Sequence, residues 1–434
     1  MKSTWKIINE ERGKPKQGTD IQSLLMDTNA EMNLSKMADN FNKYFISVAD
    51  SINSDKNKNV NSNVNYPLQY LLNSFRRPFR KISWQYASTH EVEKIIKTLR
   101  TKNSYGYDEI SNRIIKLSAP FILSPLTYIC NAILDTGVFP DRLKYATIKP
   151  IYKKGNTQDI SNYRPISLLT SFSKIIEKLI YARLLTHIDN NNILVGEQYG
   201  FRTQSSTEKA AFSLINSILT AMNNNLRVGG IFCDLQKAFD CVNHEILLDK
   251  LEFYGIEGKF KSLIKSYLTS RYQRVTLGNL SNSTNSSKWK RINCGVPQGS
   301  ILGPLFLLFY INDLPKIIKK DNKIVLFADD TSILIIDKKT PDFNRNINQT
   351  FYDVNTWFKD NLLTLNVSKT QYIEFKTKKF DSIQTQINYE QKYLTNSTET
   401  KFLGLIIDDT LSWKQHIEQT SEQNELGMLC IEKY

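Results

Sequence analysis

The sequence predicts a mixed α/β (α+β) fold, because short apolar strand patterns alternate with amphipathic helical patterns over residues 82–409. Residues 229–234 form a short apolar run that ends in a carboxylate, and a helical pattern follows Asp240. Residues 323–336 carry two apolar arms on either side of adjacent aspartates, which is typical of a β-hairpin. Residues 167–188 place apolar side chains along one helical face. We expect the hairpin arms in the core and the acidic tip at the surface.

The N-terminal part of the chain predicts one helix and then a linker. Apolar residues recur at helical spacing over residues 36–52, and they are Met37, Phe41, Tyr44, Phe45 and Val48. We interpret this helix as a docking element. Residues 56–65 are mostly Asn, Lys and Ser, a composition that buries too little apolar surface to offset the entropy of ordering, so they predict a linker. The polar residues 281–288 separate two short strand patterns and predict a hairpin loop.

The composition favours a polyanionic partner. The 434 residues include 57 Lys and Arg against 43 Asp and Glu, a net charge of +14, and nucleic acid is the leading candidate. No continuous apolar run reaches the roughly 18 residues of a membrane span. The longest run is residues 301–311, so no membrane association is expected, and the N-terminus lacks a signal-peptide pattern. The five cysteines and four histidines show no metal-binding spacing, and the scattered cysteines indicate a reducing setting.

Three aspartates are the candidate catalytic residues. Asp329 and Asp330 are adjacent at the predicted hairpin tip, and Asp234 ends another strand pattern. Carboxylates that lie together repel one another and lose hydration, so a cation is expected among them. Such a set can hold two Mg²⁺ ions roughly 4 Å apart, which suits in-line nucleotidyl transfer. For the adjacent pair alone, a plain turn with aspartates as turn formers is the alternative.

The chain resembles the reverse transcriptases of non-LTR (LINE-type, Jockey-like) retrotransposons through a series of motifs in the order of that family. The first carboxylate motif, the glycine-rich motif and the catalytic box are Asp234-Leu-Gln-Lys-Ala-Phe-Asp240, Gly295-Val-Pro-Gln-Gly-Ser-Ile-Leu-Gly-Pro304 and Phe327-Ala-Asp-Asp330. Further matching segments are Asn162-Tyr-Arg-Pro-Ile-Ser167, Gln198-Tyr-Gly-Phe-Arg202, Leu365-Asn-Val-Ser-Lys-Thr370 and Phe402-Leu-Gly-Leu405. The resemblance implies a right-hand polymerase fold with fingers, an antiparallel palm sheet and a thumb that is mostly missing.

The resemblance also implies the catalytic roles. Asp234, Asp329 and Asp330 would bind two Mg²⁺ ions, with Mn²⁺ as a substitute, and Asp330 would be the weaker ligand. Lys369 would neutralise or protonate the leaving pyrophosphate as a general acid. The alternative for Lys369 is a surface lysine without a catalytic role.

The implied nucleotide-binding residues begin in a basic stretch. Residues 144–164 carry five basic side chains against one acidic side chain, and a triphosphate is a natural partner for them. Arg164 matches the family's Arg-Pro position, and Lys153 or Lys154 matches its upstream lysine. A solvated basic loop is the alternative for the lysines.

Phe239, Gln298 and Gly299 complete the implied nucleotide site. Phe239 would stand under the sugar of the incoming nucleotide and clash with a ribose 2′-hydroxyl, which favours dNTPs. Gln298 would contact the nucleotide and the template, and Gly299 would permit a close backbone approach. The alternatives are a plain core aromatic for Phe239 and a turn without a ligand for Gln298.

The implied function is RNA-directed DNA polymerisation, in which a primer 3′-hydroxyl is extended with dNTPs on an RNA template. The partners would be the RNA template and a DNA primer or nicked target DNA, and the setting would be the nucleus with a cytoplasmic RNP stage. A catalytically silent nucleic-acid-binding remnant of such an element is the alternative from another class. A group II intron-type maturase is an alternative from the same class.

The expected domain organisation departs from that of the family at both ends. We assign residues 1–80 to an N-terminal spacer, 81–143 to an N-terminal extension of the polymerase, 144–408 to fingers and palm, and 409–434 to the start of a truncated thumb. Residues 1–80 are too short for the endonuclease that related elements carry ahead of the polymerase. We therefore expect a truncated copy whose synthesis is weak and distributive.

Overall fold

The computed structural model describes part of the chain. The predicted linker at residues 56–65 lies outside the described residues, as do residues 281–284 of the predicted hairpin loop and residues 422–434. The described stretches are residues 34–54, 66–75, 79–101, 105–278, 285–376, 386–389 and 392–421. Over these stretches helices and strands alternate, which confirms the mixed α/β class.

Several helices begin at polar residues whose side chains accept a hydrogen bond from a backbone N–H of the first turn. These N-caps are Ser88, Ser111, Thr170, Ser206 and Asn243. The helices of the described residues are α1 (Leu34–Ser54), α2 (Tyr66–Ser74), α3 (Thr89–Thr98), α4 (Asn112–Thr136), α5 (Ser171–Asn191), α6 (Thr207–Asn223), α7 (His244–Phe253), α8 (Gly258–Leu268), α9 (Leu302–Ile311) and α10 (Thr340–Asp360).

The first sheet has the strand order β2-β1-β4-β5 among the described residues. Its strands are β1 (Tyr145–Tyr152), β2 (Tyr163–Leu168), β4 (Arg271–Val275) and β5 (Lys290–Ile292). Strand β1 pairs antiparallel with β2 and parallel with β4, and β4 pairs antiparallel with β5. The parallel pair means that the chain leaves this sheet after β2 and returns to it at β4.

The central sheet is built from the chain between and after those strands, in the order β11-β8-β3-β7-β6. Its strands are β3 (Arg227–Cys233), β6 (Lys323–Phe327), β7 (Asp330–Asp337), β8 (Gln371–Phe375) and β11 (Thr395–Asn396). Short antiparallel pairs join β9 (Asn388–Tyr389) to β10 (Lys392–Tyr393) and β12 (Glu399–Phe402) to β13 (Leu405–Asp408). Strand β3 lies at the centre of the sheet and is buried along its whole length.

Helices cover both faces of the central sheet. Helix α6 packs on one face, where Leu214 and Ile218 share a buried cluster with Val228 of β3. Helix α10 packs on the other face, where Phe351 shares a larger cluster with Ile231. Strand β3 therefore has apolar contacts on both sides, which accounts for its near-continuous apolar sequence.

Helix α1 docks on the first sheet. The ring of Phe41 meets the ring of Tyr163 edge to face, with centroids 5.1 Å apart. The buried Asn42 side chain donates to Ser287 Oγ at 2.9 Å and accepts from Gln273 Nε2 at 3.0 Å. The predicted N-terminal helix is therefore confirmed, and its buried face anchors it to β4 and the chain beside it.

Helix α4 corrects the statement that no apolar segment is long enough to span a membrane. It is the one helix of the described residues that is long and apolar enough, by length and composition, to cross a membrane. Polar residues and the helix-internal Pro120 and Pro125 interrupt its apolar pattern, so a search for continuous apolar runs missed it. One side of the helix, which includes Cys130 and Ile133, is buried in the large core cluster beside α3 and α8.

The predicted helix over residues 167–188 was placed too early in the chain. Helix α5 begins at Ser171, because the preceding residues belong to β2, where Ser167 pairs with Ile148 and Leu168 with Thr147. The predicted hairpin over residues 323–336 is confirmed by the antiparallel pairing of β6 with β7.

A buried ion pair joins α7 to the segment after α9. Lys250 Nζ lies 2.7 Å from Asp313 Oδ1, and the two side chains are 1% and 0% exposed. The same ammonium donates to the Tyr310 carbonyl oxygen, and Trp357 Nε1 donates to the other Asp313 oxygen at 2.8 Å. Every heavy atom of the two charged groups thus has a partner, which is the condition for tolerating buried charge.

Lys250→Met should lower the free energy of unfolding by about 3–5 kcal/mol, because it leaves the buried Asp313 carboxylate without its counter-charge. Urea titration measures the change. Lys259→Met is the matched control, since Lys259 and Asp135 form an exposed pair at 2.9 Å and such pairs contribute little to stability. Equal losses in the two variants would contradict this account of the buried pair.

Candidate active site

The candidate catalytic residues Asp234, Asp329 and Asp330 meet at one end of the central sheet. Phe327 pairs with Asp330 across the β6–β7 hairpin, so Ala328 and Asp329 form a two-residue turn. On the other side of β7, Cys233 of β3 pairs with Thr331, and the next residue, Asp234, continues past the paired strands. The antiparallel register therefore brings Asp234 alongside Ala328–Asp329, which we name the catalytic turn after the role that the sequence predicts for Asp329.

The acidic residues affect one another electrostatically. Burial raises the pKa of Asp329, and the nearby Asp234 raises it further. Burial, Asp329 and Asp234 together raise the pKa of Asp330 to about 6. Within the described residues, no group of three or more His, Cys, Asp or Glu side chains is already arranged to hold a metal ion. The site thus collects negative charge, and the metal-binding role of the three aspartates stays a prediction.

Lys369 lies against Asp234 because the turn before β8 packs on the end of β3. The Asn366 N–H donates to the Asp234 carbonyl oxygen at 2.7 Å, and the Asp234 N–H donates to Thr370 Oγ1 at 3.4 Å. Lys369 Nζ is 3.7 Å from Asp234 Oδ2, and half of the lysine side chain is exposed. The lysine is therefore within reach of both the acidic group and solvent.

Three further cations lie on the side of the first sheet that faces the acidic residues. Arg164 pairs with Ile151 across β1 and β2, and the Lys153 N–H donates to the Asn162 carbonyl oxygen just beyond that pair. Burial, Arg164 and Lys369 lower the pKa of Lys153, and burial is the main cause that lowers the pKa of Lys237. These lowered pKa values indicate that the cations are close enough to repel one another. An incoming polyanion would relieve this repulsion.

Phe239 is half-buried at the edge of this site. Its ring meets the ring of Phe201 edge to face, with centroids 6.4 Å apart. The Phe201 side chain is 55% exposed, so the pair joins a half-buried ring to an exposed ring. Edge-to-face packing stabilises such a pair beyond its buried area, and it limits where the Phe239 ring can lie.

Gln298 is oriented by a carboxylate. Its side-chain Nε2 donates to both oxygens of Asp240, at 3.0 and 2.9 Å. Its backbone carbonyl oxygen accepts from the Ser167 N–H at 2.8 Å. Gly299 has φ +108°, and a Cβ there would lie 3.0 Å from the Ser167 carbonyl oxygen. A glycine is therefore required where this loop crosses β2.

A comparison with known protein families matches the part of the chain that contains these residues. The family model for reverse transcriptase (RNA-dependent DNA polymerase) matches residues 151–407, which include every site residue described above. The chain belongs to the reverse transcriptase family.

Relatives of this chain come from mobile elements. The RNA-directed DNA polymerase from mobile element jockey of Drosophila melanogaster is 32% identical over 334 residues, which are 75% of this chain and 36% of the relative. The probable RNA-directed DNA polymerase from transposon BS of the same species is 31% identical over 346 residues, 77% of this chain and 37% of the relative. The resemblance to non-LTR retrotransposon reverse transcriptases is confirmed. The chain spans little more than a third of the length of these relatives.

The sequence motifs assigned no role to three charged residues in and beside this site. Asp240 and Lys237 stood inside a quoted motif, so the motif itself was the available signal. Glu177 had no such signal in the sequence, because it is one acidic residue within an amphipathic helix. It is 0% exposed, accepts from the Ile301 N–H at 2.7 Å and from Ser173 Oγ at 3.1 Å, and so ties α5 to the Gln298 loop.

The contact between Asp240 and Gln298 predicts a pH effect on nucleotide binding. Burial raises the pKa of Asp240 to about 6, although the Gln298 hydrogen bonds act in the opposite direction. As pH falls through 6 the carboxylate becomes protonated and loses acceptor capacity, so Gln298 is released. We expect the KM for dNTP to rise between pH 7 and pH 5 at saturating Mg²⁺.

Asp240→Asn is the control for this titration, because an amide carries no charge at either pH. Its KM should change less over that range than the KM of the parent chain, and at pH 7 it should already exceed the parent value. Titration of Asp330 is present in both proteins and so cancels in the comparison. A parent KM that does not change with pH would show that Asp240 does not orient Gln298 during binding.

Proposed function

We propose that this chain is an RNA-directed DNA polymerase that extends a primer 3′-hydroxyl with dNTPs on an RNA template. The observation that carries the proposal is the meeting of Asp234, Asp329 and Asp330 at one end of the central sheet, with Lys153 and Arg164 close enough to lower the pKa values of Asp329 and Asp330. Adjacent acidic and basic groups match the two needs of nucleotidyl transfer, which are divalent cations and a bound triphosphate.

The donor set supports a divalent metal cofactor. Asp234, Asp329 and Asp330 offer only carboxylate oxygens, the ligands that Mg²⁺ prefers, and the raised pKa values of Asp329 and Asp330 mark an excess of negative charge that a cation offsets. We propose two Mg²⁺ ions, with Mn²⁺ as a substitute. When bound, the ions supply charge neutralisation at the attacking and leaving oxygens.

The remaining side chains hold the substrate. Lys153, Arg164 and Lys237 bind the triphosphate, and Lys237 is steadied by its hydrogen bond to the Tyr163 carbonyl oxygen at 3.4 Å. Gln298 and Gly299 line the nucleotide site, and Phe239 meets the C2′ side of the sugar. Lys369, which pairs with Asp234, gives a proton to the leaving pyrophosphate.

The two sheets correspond to the parts of a right-hand polymerase. We assign the central sheet to the palm, because it carries the aspartates. We assign the first sheet, with α1 docked on it, to the fingers, because it carries Lys153 and Arg164. The sequence-based boundaries, residues 144–408 for fingers and palm, are kept in this proposal.

The partners are an RNA template and a DNA primer or nicked target DNA. The net charge of +14 supports polyanionic partners, and the relatives are named as polymerases of mobile elements. Synthesis on target DNA places this activity in the nucleus, after a cytoplasmic stage in which protein and RNA assemble.

Primer extension on poly(rA)/oligo(dT) with dTTP and Mg²⁺ tests the proposal, with Asp329→Asn as the inactive control. Extension by the parent chain and none by the variant supports it. Primer-template binding without extension, at any Mg²⁺ or Mn²⁺ concentration, would overturn it and support the silent nucleic-acid-binding remnant.

A further inference from the structure

Apart from Phe201, the Gln198–Arg202 motif has no role in the site described so far, yet its backbone lies against β6. The Leu326 N–H donates to the Glu197 carbonyl oxygen at 2.9 Å, and the Tyr199 N–H donates to the Leu326 carbonyl oxygen at 2.8 Å. Residues 197–199 thus act as a short extra strand on the outer edge of β6. This pairing places the Gln198 side chain beside the catalytic turn.

The Gln198 carboxamide matches both backbone groups of Ala328. Its Oε1 accepts from the Ala328 N–H at 3.0 Å, and its Nε2 donates to the Ala328 carbonyl oxygen at 3.4 Å. The same Oε1 accepts from the Gly200 N–H at 2.7 Å. The side chain is 3% exposed, so water does not compete for these contacts.

Ala328 needs this support because of its backbone conformation. Its φ is +56°, in the left-handed region that glycine adopts freely and that other residues adopt only at an energetic cost. Such a conformation persists only where the surroundings determine it. Gly200 adds to the constraint, because a Cβ there would lie 2.2 Å from the Ala328 nitrogen.

We infer that Gln198 is a positioning residue whose carboxamide holds the catalytic turn in the conformation that keeps Asp329 and Asp330 beside Asp234. Among the described residues the hydrogen bonds of the Gln198 side chain go to Ala328 and Gly200, and it acts through Ala328, the residue directly before Asp329. This inference rests on the proposed function, since it concerns the divalent metal site of that reaction.

Gln198→Met tests the inference, because it keeps the length of the side chain and removes its hydrogen bonds to Ala328 and Gly200. Mn²⁺ binding to the full chain, measured by electron paramagnetic resonance without nucleotide, should weaken about tenfold, as for other groups that orient metal ligands. The Mg²⁺ concentration for half-maximal primer extension should rise by a similar factor. Affinity for primer-template in the absence of metal should change less than twofold.

Gln273→Met is the matched control. Gln273 is also a buried glutamine, 7% exposed, but it lies in β4 of the first sheet, where its Nε2 donates to Asn42 Oδ1 of α1. It should lower the unfolding temperature as Gln198→Met does and leave Mn²⁺ affinity unchanged. Equal weakening of Mn²⁺ binding in the two variants would overturn the inference, because general loosening would then explain both.

Ala328→Gly distinguishes positioning from packing. Glycine adopts the left-handed conformation without strain, so the effect of Gln198→Met on Mn²⁺ affinity should be at least threefold smaller in the Ala328→Gly background. Additive effects would overturn the inference. Mn²⁺ binding needs no turnover, so a parent chain that fails in primer extension but loses Mn²⁺ affinity on Gln198→Met contradicts the proposed function and supports the inference.

Discussion

Asp329→Asn should reduce primer extension by at least about 1000-fold, equivalent to about 4 kcal/mol of transition-state stabilisation. The variant should nevertheless fold and, without metal, unfold at a higher temperature than the parent at pH 7. The reason is that burial and Asp234 raise the pKa of Asp329, so its charged form destabilises the folded chain above that pKa. An uncharged amide removes the repulsion.

The effect of Mg²⁺ on thermal unfolding supplies the second measurement. Mg²⁺ should raise the unfolding temperature of the parent, because it binds the folded state, and should raise that of Asp329→Asn much less. Asp337→Asn, at the other end of β7, is the matched control and should keep both activity and the response to Mg²⁺. Full activity of Asp329→Asn would remove the basis for the proposed metal site.

Phe239→Val should weaken the preference for dNTP over rNTP by about 10- to 100-fold, since loss of steric exclusion in a pocket is worth about 1–3 kcal/mol. The half-buried ring stands at the edge of the site, and Phe201 limits its position. The ratio of kcat/KM for dTTP to that for UTP on poly(rA) measures the change. Phe201→Leu should shift the ratio in the same direction and by less.

Phe351→Leu is the control for the loss of aromatic packing. Phe351 is 2% exposed in α10, within the core cluster, so its replacement should lower stability and leave sugar selection unchanged. If Phe239→Val keeps the selectivity of the parent, Phe239 is a core residue without a role in sugar choice.

The local features of the fold were accessible from the sequence because their signals are local. The β6–β7 hairpin follows from two apolar arms around Asp329 and Asp330, and α1 follows from apolar residues at helical spacing. The start of α5 was wrong because Ser167 and Leu168 carry a pattern that suits a helix as well as a strand. Their pairing with β1, about twenty residues earlier in the chain, decided between the two.

By itself the sequence determined the family and marked three aspartates as candidate catalytic residues, because the motifs are contiguous and because Asp234 and Asp329 each come just after an apolar strand pattern. Only the tertiary structure decided which side chains support them. Asp240 meets Gln298 across 58 residues, Glu177 meets Ile301 across 124, and Gln198 meets Ala328 across 130. Such hydrogen bonds depend on sheet register and on how segments pack, and a buried polar side chain has no periodicity that marks its partner in advance.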